Sequence, residues 1–233
     1  MNTKHILYSS LLLIALSYAN LMSGQGSYQY GLLPTINFNK KLEKDWSLNL
    51  SVQSRQLIGR GEFNGVSDVE YDYILTDYSV IAAKKFGLNS RFNLGYLLRV
   101  REGNVFQRLM QRYIVTQRLR AFRLSHRIAL DQTLSDVEST EFRCRYRITS
   151  EIPLNGQSLD PKEVYLKVNT EVLGSLQDSE YGLEIRFVPV IGYDITHSNK
   201  IELGLDYRVS SFLDDGGNSR HVTWAVLSWF LEF

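Results

Sequence analysis

Between Phe142 and Ile148 the chain reads FRCRYRI, so that Phe142, Cys144, Tyr146 and Ile148 alternate with Arg143, Arg145 and Arg147. A strand points successive side chains to opposite faces, and this segment therefore predicts a strand with one apolar and one cationic face. The pattern recurs along the chain. From Ser90 to Arg101, Phe92, Leu94, Tyr96, Leu98 and Val100 oppose Arg91, Asn93, Gly95, Arg99 and Arg101, with Leu97 as the one apolar intruder. Ile201, Leu203, Leu205, Tyr207 and Val209 alternate without exception against Glu202, Gly204, Asp206 and Arg208. The apolar row of Leu183 to Tyr193 faces a row that begins with Glu184 and Arg186. Weaker versions lie at 28–40, 46–57, 72–85, 105–119, 122–134, 163–175 and 221–233, which makes eleven segments in all. Turn residues separate them, among them Asn64-Gly65, Gly103-Asn104, Asn155-Gly156 and Asp178-Ser179. No helical period is sustained between the segments, which predicts a single all-β domain.

The polar rows say which face is wet. A soluble β domain turns a mixed row of Ser, Thr and Lys to solvent. Here the rows are dominated by Arg with interspersed acids, including Glu151 and Glu171. The planar guanidinium suits paired, semi-buried contacts better than the mobile ammonium of lysine. The expected fold is a closed antiparallel transmembrane up-and-down β-barrel of 10–12 strands, because backbone groups in hydrocarbon are all paired only when the sheet has no edge. Its apolar rows face lipid. Its lumen is largely filled by a charge network of Arg99, Arg127, Asp131, Arg143, Arg145, Glu184, Arg186, Asp206 and Arg208. A mean hydropathy of −0.19 fits a barrel in which half of every strand faces a polar interior. Single-chain bacterial barrels have an even strand number. Eleven segments then predict ten staves, if 28–40 is not a full one, or twelve, if 20–40 folds as two pieces.

Lys4 and His5 precede an apolar run from Ile6 to Leu16, the pattern of a secretory signal peptide. Cleavage is expected after Ala19 or Gly24, leaving residues 25–233 as the barrel. With 26 Lys and Arg against 25 Asp and Glu, the chain lacks the basic excess of a nucleic-acid binder. The lone Cys144 excludes an internal disulfide and any cysteine-based metal site. No GxxxxGK[ST], HExxH or GxSxG occurs, so no catalytic, metal or cofactor-binding residue is assigned and no cofactor is expected. On the last segment Trp229, Leu231 and Phe233 share one face, a C-terminal pattern of the kind that barrel-assembly machinery reads.

The run from Trp46 through SLNLSVQSRQL, the strands SHRIALDQ and FRCRYRITSE, and the aromatic end WFLEF together resemble an uncharacterised, domain-of-unknown-function family of bacterial outer-membrane β-barrels. The resemblance covers nearly all of the mature chain and implies a fold and a Gram-negative outer-membrane location. It supplies no catalytic residue. The expected function is a structural, accessory or narrow-pore role, with outer-membrane lipid and the assembly machinery as partners. One alternative is a barrel hydrolase of lipid or peptide at the outer rim, using His126 on the apolar face or His221 beside Asp214 and Asp215, with Asp72 and Asp136 as neighbours. The other is a secreted soluble β-sandwich.

Overall fold

The computed structural model describes residues 26–120, 122–156, 159–212 and 219–233. The leader read over residues 1–24, with both cleavage positions, lies outside these. The described chain forms β1 (Gly26–Lys41), β2 (Trp46–Glu62), β3 (Ser67–Asp68), β4 (Asp72–Phe86), β5 (Ser90–Arg101) and β6 (Asn104–Arg118). It continues with β7 (Arg123–Ser135), β8 (Glu141–Pro153), β9 (Val164–Gln177), β10 (Glu180–Thr196), β11 (Asn199–Ser210) and β12 (Ser219–Glu232). β3 is a two-residue pairing on the end of β2. The other eleven strands among the described residues are staves of one sheet.

Each stave pairs antiparallel with the next in the chain, and β1 pairs with both β2 and β12, so the sheet closes on itself. The expected barrel of ten or twelve strands, antiparallel throughout, is corrected here. Directions alternate around an up-and-down barrel, so with an odd number of staves the first and last run the same way. The seam between β1 and β12 is accordingly parallel, from Gly26 opposite Ser219 to Asn39 opposite Glu232. Residues 28–40 are thus a full stave, and the two-sheet sandwich is overturned because one sheet provides the whole enclosure.

Local geometry fits the closure. The β5–β6 and β9–β10 hairpins turn on Glu102-Gly103 and Asp178-Ser179, with φ of 51° and 77° in the first and 51° and 67° in the second. Positive φ at both central residues gives the turn whose twist matches the flanking strands. The β1–β2 register shifts between Tyr30 and Gly31. A Cβ at Gly31 would lie 2.1 Å from the Gln56 carbonyl oxygen and 2.7 Å from the Trp224 ring, so only glycine fits there. The connections β2–β4, β5–β6, β7–β8, β9–β10 and β11–β12 lie at the end marked by Gly26, and the remaining connections at the end marked by Lys41.

The two faces separate as the alternation requires. Leu32, Leu50, Val80, Leu94, Leu109, Leu130, Tyr146, Val172, Ile185, Leu203 and Leu227 come one from each stave, point outward and are 38% to 59% exposed. Inside, Asp131 and Glu171 are each 1% exposed, and Asp77, Arg108, Asp206 and Arg208 are also buried. An apolar cluster of Leu33, Val222 and Trp224 fills the lumen beside the seam.

The parallel seam has a direct test. In a Cys144→Ser background, the pairs Leu32→Cys with Ala225→Cys and Phe38→Cys with Leu231→Cys are expected both to cross-link on oxidation, since both are register partners. An antiparallel seam admits one of these pairs but never both. Non-reducing gel mobility reads the result.

Candidate functional site

The lumen is built from the inward rows, and its central acceptor is Glu171 on β9. Arg127 Nη2 on β7 donates to Glu171 Oε2 at 2.7 Å and Arg147 Nε on β8 to the same oxygen at 2.8 Å. Arg186 Nη1 on β10 reaches Oε1 at 3.3 Å, and Arg145 Nη1 on β8 lies 3.8 Å from it. The strand register explains this convergence, because Glu171 sits opposite Arg147 on one side and Arg186 on the other, while Arg147 sits opposite Arg127. Asp131 forms the second centre. Arg145 Nη2 lies 2.6 Å from its Oδ2, an ion contact without hydrogen-bond alignment, and both carboxylate oxygens lack an aligned donor.

Two bidentate pairs flank these centres. Arg99 donates to Asp77 at 2.7 and 2.8 Å, and Arg208 donates to Asp206 at 3.0 and 2.6 Å. Arg143 lies 2.5 Å from Glu141, and Arg186 also pairs with Glu184. All nine residues assigned to the lumen from sequence therefore point inward. Arg127, Asp131, Arg145, Glu184 and Arg186 join through Glu171, whereas Arg99, Arg143 and the Asp206–Arg208 pair stand apart. Not in that set were Asp77, Glu141, Arg55, Arg108, Arg112 and Arg147, and the central place of Glu171 was also missed. Alternation alone places Asp77 with Ser79 opposite Tyr78 and Val80. The role of Glu171 follows from register, which no single strand records.

The side chains of the charged belt and of the apolar cluster are buried within the lumen at mid-depth and towards the Gly26 end. Towards the Lys41 end it opens into a vestibule of about 990 Å³ whose floor includes Arg127 and Arg147. The expected filling is therefore one-sided. Ten Lys or Arg line the vestibule against Asp45, Glu151, Glu202 and Glu232. Tyr165 donates to Glu202 at 2.6 Å, and Lys167 pairs with the same carboxylate. A smaller compartment of about 220 Å³ lies in the wall between β1 and β6.

On the outer face at the Gly26 end, Ser219 Oγ lies 2.8 Å from His221 Nε2, and His221 Nδ1 lies 2.6 Å from the Tyr207 hydroxyl. Sequence reading named His221 but passed over Ser219, two residues earlier on the same face. Tyr207 arrives through the β11–β12 register. Asp72 starts β4, Asp136 lies between β7 and β8, and neither contacts His221; Asp214 and Asp215 lie outside the described residues. His126 also faces outward, 2.8 Å from the Tyr146 hydroxyl, while its neighbour Ser125 turns inward to Thr116 at 2.9 Å. Cys144 is exposed on the outer face, as are Trp229 and Phe233 in the row that holds Leu231. Among the described residues no three His, Cys, Asp or Glu side chains gather in a metal-binding group.

Glu171→Gln leaves several buried guanidinium groups facing a neutral amide. A destabilisation of about 3–5 kcal/mol is expected, read as a lowered unfolding midpoint of the barrel in detergent. Arg60→Gln, at the exposed Arg60–Glu70 pair, is expected to change stability by less than about 1 kcal/mol.

Comparison with known proteins adds the family. No curated protein and no solved structure matches the chain. Residues 31–217, from within β1 to the β11–β12 connection, match the model of a family described as a protein of unknown function, DUF2490. With most of its barrel inside that match, the chain belongs to the DUF2490 family.

Proposed function

We propose that the protein is an integral β-barrel of a Gram-negative outer membrane, with a structural or accessory role and a lumen blocked at mid-depth. The observation that carries this reading is the apolar exterior, to which every stave contributes and which Gln107 and Gln111 on β6 interrupt only locally. Fully burying a large apolar side chain is worth roughly 1.5–3 kcal/mol, and each of the eleven outward side chains above, 38% to 59% exposed, forgoes about half of that in water. Their sum is comparable with the roughly 5–15 kcal/mol that usually separates folded from unfolded domains. Soluble monomers rarely expose contiguous apolar patches of more than a few hundred Å², and here the apolar surface circles the molecule. The shortest staves have 12 residues. Rising about 3.3 Å per residue and tilted about 45°, they cover roughly 28 Å, close to the thickness of a bilayer's hydrocarbon core. Aromatic side chains cluster at both ends of the outer face: Tyr28, Phe63, Tyr207 and His221 at one, Phe38, Trp46, Trp229 and Phe233 at the other. Such belts suit a membrane–water interface.

The protein is expected to resist carbonate extraction and to require detergent. In vesicles of lipids with brominated acyl chains, Trp229→Phe is expected to remove much of the tryptophan quenching, while Trp224→Phe, inside the lumen, removes little. Ready release by carbonate sinks the reading. In planar bilayers the wild-type barrel is expected to show no steady conductance, because buried ion pairs and the Leu33–Trp224 cluster obstruct the path.

A second reading, hydrolysis at the rim, is favoured by the Ser219–His221–Tyr207 chain, which places a hydroxyl on an imidazole oriented by a second group. Purified barrel is to be assayed on micellar esters. Loss of turnover in both Ser219→Ala and His221→Ala establishes this activity, and equal turnover in wild type and variants removes it.

A further inference from the structure

The lumen cations divide by arc. Towards the Lys41 end, Arg123 pairs with Glu151, Lys167 with Glu202 and Lys41 with Glu232, so cations facing β8, β11 and β12 have acids to meet. On the arc from β4 to β6, Lys85, Arg91, Arg112 and Arg118 face the vestibule or its side compartment, and none of them forms an ion pair with another described residue. Positive charge is therefore in surplus on one wall.

The side compartment concentrates that surplus. Its polar lining is Arg91, Arg112, Asn39, Asn49, Asn93 and Ser47, with no carboxylate among them. Asn49 Nδ2 donates to Asn39 Oδ1 at 2.7 Å. Arg112 has one contact, from Nη2 to Met110 Sδ at 2.9 Å, and its Nε is buried without a partner. Asn93 is 8% exposed and its Oδ1 is likewise buried without a partner. A single ordered water needs roughly 15 Å³, so a volume of about 220 Å³ takes a solute together with solvent.

We propose that this compartment binds a small oxyanion, the phosphate or carboxylate group of a solute that enters through the vestibule. Two guanidinium groups offer the paired N–H donors that such oxygens accept. The amide of Asn93, whose two ends are nearly the same shape, presents its Nδ2 as a donor to the ligand by rotation. No carboxylate lines the compartment, Asp77 on β4 being held by Arg99, and the ligand's charge offsets the surplus of the wall. The site follows from the closed barrel alone and goes beyond the membrane reading, since a barrel in any amphiphile presents it.

The test is isothermal titration of the purified barrel in non-ionic detergent with sodium phosphate and, separately, with sodium acetate at constant chloride. Saturable binding of at least one anion is expected, and which of them binds identifies the phosphoryl or the carboxylate form. Arg112→Gln and Arg91→Gln are each expected to weaken it roughly tenfold or more, as loss of a charge-assisted bond does. Arg60→Gln, at the opposite end, leaves it unchanged. Arg91 is exposed at the mouth, so its variant keeps the test decisive if Arg112→Gln fails to fold. Absence of saturable heat for both anions overturns the proposal, and so does binding that survives Arg91→Gln unaltered.

Discussion

A sheet without an edge is the constraint on which the rest depends. Along the eleven staves the backbone pairs with its neighbours on both sides, interrupted at bulges such as Tyr30/Gly31 and at the strand prolines Pro34 and Pro189, and the sheet loses its edges only once β1 and β12 join. Closure then forces the two faces into opposite environments, because the pleat leaves each residue no choice but in or out. A one-residue slip in any stave would send its arginines outward and its leucines into the lumen. The register is therefore fixed by chemistry on both faces at once.

Inside the wall the dominant cost is desolvation of charge. Two guanidinium groups share one oxygen of Glu171, and a third meets the other oxygen. Taking such groups from water is expensive, and only well-aligned neighbours of opposite sign offset it. The fully buried Asp131, with its oxygens unaligned to any donor, shows how closely the layer runs to that limit. Arginine is suited to the role because its fork bridges acceptors on different strands; Arg145 touches both Asp131 and Glu171. A belt held this way ties β7, β8, β9 and β10 together along the inner wall, in addition to the backbone ladder.

How much of this the sequence carried differs by level. Period two marked every stave to within a few residues: Ser90–Arg101 coincides in both, and 46–57 extends to Glu62 only because β2 continues past its alternating part. The even-number rule then overrode a correct count of segments. Nothing local in GSYQYGLLPTINF states whether its neighbour runs parallel or antiparallel, since that is a property of closure. The inward Trp224 was legible, because it lies in the row opposite Leu227, Trp229 and Leu231, yet the expected interior was purely ionic. The centrality of Glu171 and the approach of Tyr207 to His221 were not legible. Both depend on which residues the register sets side by side. The compartment at Arg112 is likewise a matter of neighbours rather than of spacing.

The seam explains where the apolar part of the lumen lies. Parallel pairing is slightly weaker per residue than antiparallel pairing, so the join between β1 and β12 is the stave contact most in need of side-chain support. It receives support at each depth. Arg220 donates to Gln29 at 2.9 Å near the Gly26 end, and Lys41 pairs with Glu232 at the other. Between them the Trp224 ring lies over Gly31, its register partner, and packs with Leu33 and Val222 from the same two strands. Outside, the rings of Phe38 and Phe233 stack at 6.3 Å, and the Phe233 N–H donates to the Asn39 carbonyl at 2.9 Å. Buried apolar side chains also occur on the antiparallel staves, among them Phe106, Met110 and Leu173 beside the ion pairs, but at the join they gather into one cluster.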